Sequence, residues 1–258
     1  MCGRYASSRR PEDLVEEFEI DRVDVKETLA PDFNVAPTKP VYAVVQRPAS
    51  KQDATLERQL RVLSWGLVPL WAKDPSIGNK MINARMETVE EKPAYRKAFA
   101  SRRCLLPADG YYEWYVTDQP PEAEGQAAET GRRRRQPKQP FFIHPADGSM
   151  MAMAGLYEIW HDPTRDDDDP LRFRWTCTVL TTRAEDAVGH IHDRMPLLVE
   201  PDRYGAWLDP TPTEPAALKS LLVPAAPGRL EAYPVSTEVN NVRNNGAELL
   251  APLPMEPT

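Results

Sequence analysis

Position 2 can do chemistry that no other position offers. Loss of Met1 leaves Cys2 with a free α-amine and a thiol on adjacent carbons. The amine titrates at about pH 8 and the thiol slightly higher, so near neutrality some of each is nucleophilic. Towards an aldehyde, the amine forms an imine and the thiol then closes a five-membered thiazolidine ring. Towards an amide or thioester, the thiol serves as an N-terminal nucleophile with the amine as its base. A cysteine after the initiator can also be a tolerated accident, so its meaning rests on the remaining chain.

Other residues could assist such chemistry. Asp-Gly-Tyr-Tyr-Glu-Trp (109–114) sets Glu113 in an aromatic strand, either on a wet face or desolvated enough to raise its pKa towards acid–base use. Ile-His-Asp-Arg-Met-Pro (191–196) holds His192, one of four histidines, as a structural ring or a proton carrier. The pair His190 and His192 hints at a metal, but no Cys/His/Asp cluster stands at a ligand spacing, so no metal or cofactor is expected. In 81–87 apolar and polar residues alternate, which points Asn83, Arg85 and Glu87 to one face if the segment is extended. Phe-Asn-Val-Ala-Pro (33–37) and Trp-Gly-Leu-Val-Pro-Leu-Trp (65–71) are turn-rich and aromatic. Exposed tryptophan with nearby arginine suits a single-stranded nucleic acid, whereas buried tryptophan is the commoner state.

These side chains need short, stiff elements to hold them. The 27 prolines among 258 residues are about twice the usual share and disfavour long helices. Periodicity and breakers predict a helix from Pro11 and strands over 41–47 and 59–65. Further strands are predicted over 103–106, 111–116, 140–144, 151–160, 173–182 and 230–235, with helices over 93–100, 201–208 and 214–222. No β-α-β alternation or internal repeat occurs. The expected fold is therefore α+β, with a curved, mainly antiparallel sheet or barrel and short peripheral helices. The low-complexity stretch 118–138 reads as a flexible hairpin insertion within one domain spanning 2–258.

Bulk composition narrows the setting. Hydrophobic residues make up 41% and charged residues 28%, as in an ordinary soluble protein. Three widely spaced cysteines argue against a disulfide framework and for a reducing compartment. No secretory leader and no membrane-length apolar run is evident, so a cytoplasmic protein is expected. The net charge of −7 gives no support for a nucleic-acid partner, although the acids of 118–130 and 166–169 fall in segments that read as solvated loops.

Taken in order along the chain, the stations are specific. Met-Cys-Gly-Arg-Tyr, Phe-Asn-Val-Ala-Pro, Trp-Gly-Leu-Val-Pro-x-Trp and Ile-Asn-Ala-Arg-x-Glu come first. Pro-Ala-Asp-Gly-Tyr-Tyr-Glu-Trp, Ile-His-Asp-Arg-Met-Pro and Asn-Val-Arg-Asn-Asn-Gly-Ala-Glu-Leu follow. The series resembles the SOS response-associated peptidase (SRAP) family of abasic-site-processing proteins, over almost the whole chain. The resemblance implies that Cys2, freed of Met1 by autoproteolysis, forms a thiazolidine crosslink with the ring-opened sugar of an abasic site in single-stranded DNA. It further implies that Asn83 positions Cys2 and the sugar, Glu113 shuttles protons, and His192 acts near the sugar oxygen. Arg4, Asn34, Pro37, Arg85 and Thr181 match positions lining the family's DNA groove, and Trp71 an aromatic where the strand bends. Some members carry a second aromatic where this chain has Ala72. A monomer that joins the nucleoid when DNA-bound is expected. Two other classes remain open from the residues: an N-terminal-nucleophile peptidase or amidase, and a non-covalent single-strand-binding module in which Cys2 is dispensable.

Overall fold

A computed structural model describes residues 2–50, 52–116, 138–169, 172–184, 189–211, 213–222 and 228–254. Most of the stretch 118–138 therefore lies outside the described residues. The elements run β1 (Tyr5–Ser7), α1 (Pro11–Glu17), β2 (Arg22–Asp24), β3 (Asp32–Val35), β4 (Pro40–Pro48), β5 (Leu56–Trp65) and β6 (Asn83–Arg85). Then come α2 (Arg96–Ser101), β7 (Arg103–Ala108), β8 (Gly110–Val116), β9 (Lys138–Pro145), β10 (Met151–His161) and β11 (Phe173–Arg183). The chain continues with β12 (Arg194–Pro196), α3 (Tyr204–Leu208), α4 (Pro215–Ser220) and β13 (Leu230–Pro234). The fold is α+β, as the residue patterns predict.

Long strands build a closed barrel. β5, β4, β7, β10 and β11 pair antiparallel in that order, and β11 returns to β5 through the parallel pairs Thr176–Ser64 and Cys177–Trp65. Alternation along each strand then divides the apolar residues between two cores. Val41, Ala43, Val45, Leu63, Cys104, Leu106, Met153, Cys177 and Val179 fill the barrel interior. Tyr42, Val44, Leu60, Leu105, Ala154, Leu156 and Leu180 face outward and are covered by Leu14 and Phe18 of α1, Phe99 of α2, Trp207 of α3 and Leu218 of α4. The interior is tight: a Cβ on Gly155 would lie 2.9 Å from the Cys104 sulfur.

A second sheet, in the order β13-β9-β8-β1-β3, closes one barrel mouth. Its strands also show two faces. Tyr5, Tyr111 and Ile143 join the barrel interior, whereas Ala6, Tyr112 and Phe142 pack against Val235, Val239 and Leu249. Tyr5 meets the barrel residue Trp65 edge to face at 5.1 Å, which locks β1 onto the mouth. By the same alternation Glu113, two residues after Tyr111, turns towards the barrel. β8 and β9 pair antiparallel in register, with Val116 opposite Lys138. The acid run at 166–169 sits between β10 and β11, where Arg165 bonds Asp169 at 2.6 Å and Arg172 pairs with Asp167 at 2.7 Å.

Buried Arg103 ties the helices to the barrel. Its guanidinium donates to the carbonyls of Phe99, Ala100 and Trp207 at 2.8, 2.5 and 2.7 Å, and to that of Asp209. These carbonyls belong to the C-terminal turns of α2 and α3, where orphan acceptors and the helix dipole favour a cation. Arg103→Leu should lower the unfolding free energy by about 3 kcal/mol and the melting midpoint by roughly 10 °C, because several buried acceptors lose a charged donor together. A thermal melt checks this, and an unchanged midpoint would show that the carbonyls find other partners.

Candidate active site

Cys2 is wholly buried, in the same interior core as Trp65, Tyr111 and Val179. β1 is held between β3 and β8, with Tyr5 opposite Tyr111 and the Tyr112 N–H donating to the Arg4 carbonyl at 2.9 Å. The Asn83 Nδ2 donates to the Cys2 carbonyl at 2.7 Å. Asn83 reaches this position because β6 adds to β11 in parallel, Asn83 opposite Val179, and because the Trp65 indole N–H grips the Ile82 carbonyl at 2.9 Å. The other amide atom, Oδ1, is buried without a hydrogen-bond partner among the described residues. A buried acceptor left in that state is a seat for a donor.

Burial pushes the Cys2 thiol far above the ordinary thiol range, and the charge of Glu113 adds to the effect. The thiol is therefore an S–H at neutral pH and must give up its proton in any reaction. Burial also raises the Glu113 carboxyl to about 7, so it exchanges a proton near neutrality. The His192 Nε2 lies 4.0 Å from Glu113 Oε2. Burial holds His192 below its usual value, and its Nδ1 accepts the Arg194 backbone N–H at 3.0 Å. The same Nδ1 lies 2.9 Å from Asp193 Oδ1, and Nε2 is the ring nitrogen that faces Glu113. Cys2, Asn83, Glu113 and His192 thus converge from four separate parts of the chain.

The residues matched to a DNA groove divide into two groups. Arg85 is exposed, Pro37 is half-buried, and Trp71 is 60% exposed at the tip of the segment that follows β5. That segment depends on Gly66: with φ of +136° and a would-be Cβ 2.7 Å from the Gly78 carbonyl oxygen, only glycine fits the turn. Ala72 is buried, and its carbonyl accepts the Trp160 indole N–H at 2.7 Å. Arg4, Asn34 and Thr181, by contrast, are engaged inside the protein. Asn34 is fully buried, accepts Arg4 at 2.6 Å, and donates to the carbonyls of Val239, Asn241 and Asn244 at 3.3, 3.1 and 2.9 Å. Thr181 is buried and takes the Arg194 guanidinium on its carbonyl at 2.6 Å and its hydroxyl at 3.2 Å.

Two structural partners escaped the sequence reading. Arg194 forms a two-pronged ion pair with Glu87 at 2.6 and 3.0 Å, joining the start of β12, just after His192, to the turn after β6. The segment 239–245 walls the N-terminal strand, with the Asn245 side chain accepting the Phe33 N–H at 2.7 Å. Its run of asparagines is a signal for backbone capping, but nothing local in the sequence says which backbone. Among the described residues, no group of three or more His, Cys, Asp or Glu could hold a metal ion. No described helix is long and apolar enough to cross a membrane.

Barrel, covering sheet and buried second residue together define a β-barrel protein that holds Cys2 inside the fold, within the electrostatic reach of an acid raised towards neutrality. A family model described as SOS response associated peptidase (SRAP) matches residues 1–242, and the chain belongs to that family. The abasic site processing protein YoaM of Bacillus subtilis is 40% identical over 250 residues, covering 97% of each chain. The abasic site processing protein YedK of Escherichia coli is 31% identical over 260 residues, covering 98% of this chain and all of that one. A solved structure from Bacteroides thetaiotaomicron shares the fold, with a TM-score of 0.73 at 22% identity over 98% of this chain and 100% of its own.

The raised Glu113 value has a signed consequence for stability. Between the ordinary 4.5 and about 7 the folded chain keeps a proton that the unfolded chain has lost. The contribution of the neutral carboxyl is complete below about pH 4.5 and is lost as pH rises through about 7. Glu113→Gln stays neutral throughout, so its stability relative to wild type should rise across that window by up to about 3 kcal/mol. Urea unfolding at several pH values checks this. A difference that does not vary with pH would place a charged carboxylate in the folded state throughout.

Proposed function

We propose that this protein processes abasic sites in single-stranded DNA by forming a thiazolidine crosslink through Cys2 once Met1 is gone. The observation that carries the reading is the buried Cys2, its carbonyl held by Asn83 and its surroundings shared with a carboxyl that titrates at about 7. An abasic sugar opens to an aldehyde. The Cys2 α-amine adds to that carbonyl carbon, giving a carbinolamine. Glu113 delivers a proton to the departing hydroxyl, water leaves, and Glu113 takes back the nitrogen's proton so that an imine remains. The thiol then forms the S–C bond, while its proton passes to the nitrogen, with Glu113 as the near relay. Ring closure is intramolecular, with an effective molarity on the order of 10⁵ M or more, and it outruns the β-elimination that an imine would promote.

The protonated state of the thiol supports an amine-first order. A peptidase that relies on a preformed thiolate would gain nothing from a buried S–H. His192 serves the sugar ring oxygen, assisting opening on the way in and re-closure on the way out. Trp71, Arg85 and Pro37 meet the strand, while Arg4, Asn34 and Thr181 fix the walls behind it. The names of the Bacillus subtilis and Escherichia coli relatives, both abasic site processing proteins, support the same reading. One domain over 2–258, monomeric, cytoplasmic and recruited to the nucleoid by its substrate, suits this function.

Incubation of the purified protein with abasic single-stranded DNA should yield a heat-stable adduct whose mass corresponds to the chain without Met1. Cys2→Ala should abolish it, and so should an uncleavable tag ahead of Cys2. An undiminished adduct in Cys2→Ala would sink the proposal.

Release separates the two proton carriers. Glu113→Gln should slow adduct formation by roughly 10²–10⁴-fold, the usual loss when an acid–base group is removed. His192→Ala should slow formation and release alike, by microscopic reversibility, leaving an adduct that forms slowly and persists. The release rate of preformed adduct, trapped with excess competitor DNA, decides this. Release at the wild-type rate from His192→Ala would make His192 a structural residue.

A further inference from the structure

The barrel has a second mouth, and it is lined with arginine. β5 pairs with β11 only through Ser64 and Trp65, at its C-terminal end. Towards its N-terminal end it takes β2 as neighbour instead, with Arg22 opposite Gln59 and Asp24 opposite Arg61. β11 therefore parts from β5 at Trp175, and the seam opens into a cavity of about 560 Å³ lined by Arg22, Arg47, Gln59, Arg61 and Trp175. Gln59 stands six residues along β5 from Trp65, whose indole grips the turn carrying Asn83. That separation amounts to roughly 20 Å of strand, so the cavity is remote from Cys2.

The charges here are unevenly matched. The Arg47 and Arg61 guanidinium groups lie 4.8 and 4.3 Å from the centre of the same Trp175 ring. Trp175 is itself stacked on Tyr157 at 5.7 Å, which fixes the platform. Arg61 is answered by Asp24 at 2.5 Å and donates to the Gln59 side chain at 3.0 Å. Arg22 has Glu57 at 3.9 Å and the Ala49 carbonyl at 3.4 Å. Arg47 has the ring contact, with no ion pair and no side-chain hydrogen bond among the described residues. Two half-buried cations over one ring repel each other, and burial together with the Arg47 charge pulls Arg61 down against the opposing pull of Asp24. A multivalent anion relieves this repulsion and uses the idle fork of Arg47.

We infer that this distal mouth binds a phosphate group, carried by a small phosphate ester or by a nucleic-acid strand, through Arg47 with Arg22 and Arg61 beside it. Three convergent arginines match a tetrahedral group with several acceptor oxygens, and the volume is that of a pocket for a mononucleotide-sized molecule. The inference does not depend on the chemistry proposed for Cys2, because the two mouths share no side chain.

Calorimetric titration of the full chain with inorganic phosphate, a deoxynucleoside monophosphate and an intact single-stranded oligonucleotide tests it. The monophosphate should bind one to one, and its signal in tryptophan fluorescence should vanish in Trp175→Phe. Arg47→Ala should fold as wild type does and weaken binding roughly tenfold or more, with Arg47→Lys in between. Loss confined to phosphate and monophosphate would assign the site to small esters. A parallel loss of oligonucleotide affinity would assign it to a strand. In either case adduct formation at Cys2 by Arg47→Ala should match wild type when DNA is saturating. The absence of binding by all three probes, or binding that Arg47→Ala leaves unchanged, would overturn the inference.

Discussion

A residue beside so short a strand as β1 has much freedom to lose, and the structure around Cys2 is organised to remove it. A three-residue strand cannot do this by its own pairing. β1 is gripped on both edges by β3 and β8, its Tyr5 is locked against Trp65, and the Cys2 carbonyl is tied down by Asn83. Each grip depends on a different part of the fold. The barrel supplies Trp65, the parallel addition of β6 supplies Asn83, and the covering sheet supplies Tyr111 and Glu113. Fixing the backbone at Cys2 makes its side chain a positioned group, and positioning is where much of the rate advantage of any enclosed site arises.

The same enclosure tunes the acid. Glu113 titrates near neutrality chiefly because it is out of water, and it is out of water because the alternation of β8 turns it to the barrel mouth between aromatic neighbours. Burying a carboxyl in this way lowers stability whenever the group ionises, so the site works against the fold at alkaline pH. The fold offsets such costs with firm ties elsewhere, among them Arg103 beneath α2 and α3 and the Arg194–Glu87 pair next to the site. The acidity of Glu113 and the stability of the fold are thus coupled through a single buried proton.

Much of this arrangement was legible in the sequence, and the exceptions share a cause. Long strands announced themselves: 41–47 lies within β4, 151–160 within β10 and 173–182 within β11, because each repeats its in–out pattern over many residues. β1, β6 and β12 have three residues each, too few for any period, and yet they carry or flank Cys2, Asn83 and His192. The convergence of those side chains is a property of tertiary closure. So is the contact of β5 with β11, two residue pairs long, which no local pattern encodes. Alternation over 81–87 correctly aligned Asn83 and Arg85 but overran the strand, because the chain turns into a 3-10 helix at Met86. Arg4, Asn34 and Thr181 were legible only as groove positions that the family resemblance implies. Their internal bonding appears only when residues far apart in sequence are brought together.

The wall formed by 239–245 has a consequence in time as well as in space. Arg4 bonds Val239 across 235 positions, and Asn34 bonds Asn244 across 210. Synthesis runs from Cys2 towards 239–245, so Cys2 emerges before the segment that steadies its strand. In that interval Arg4 and Asn34 lack the carbonyls that later hold them, and the seat around Cys2 does not exist. A chain stopped short of this segment would carry Cys2 without the wall that fixes the strand behind it.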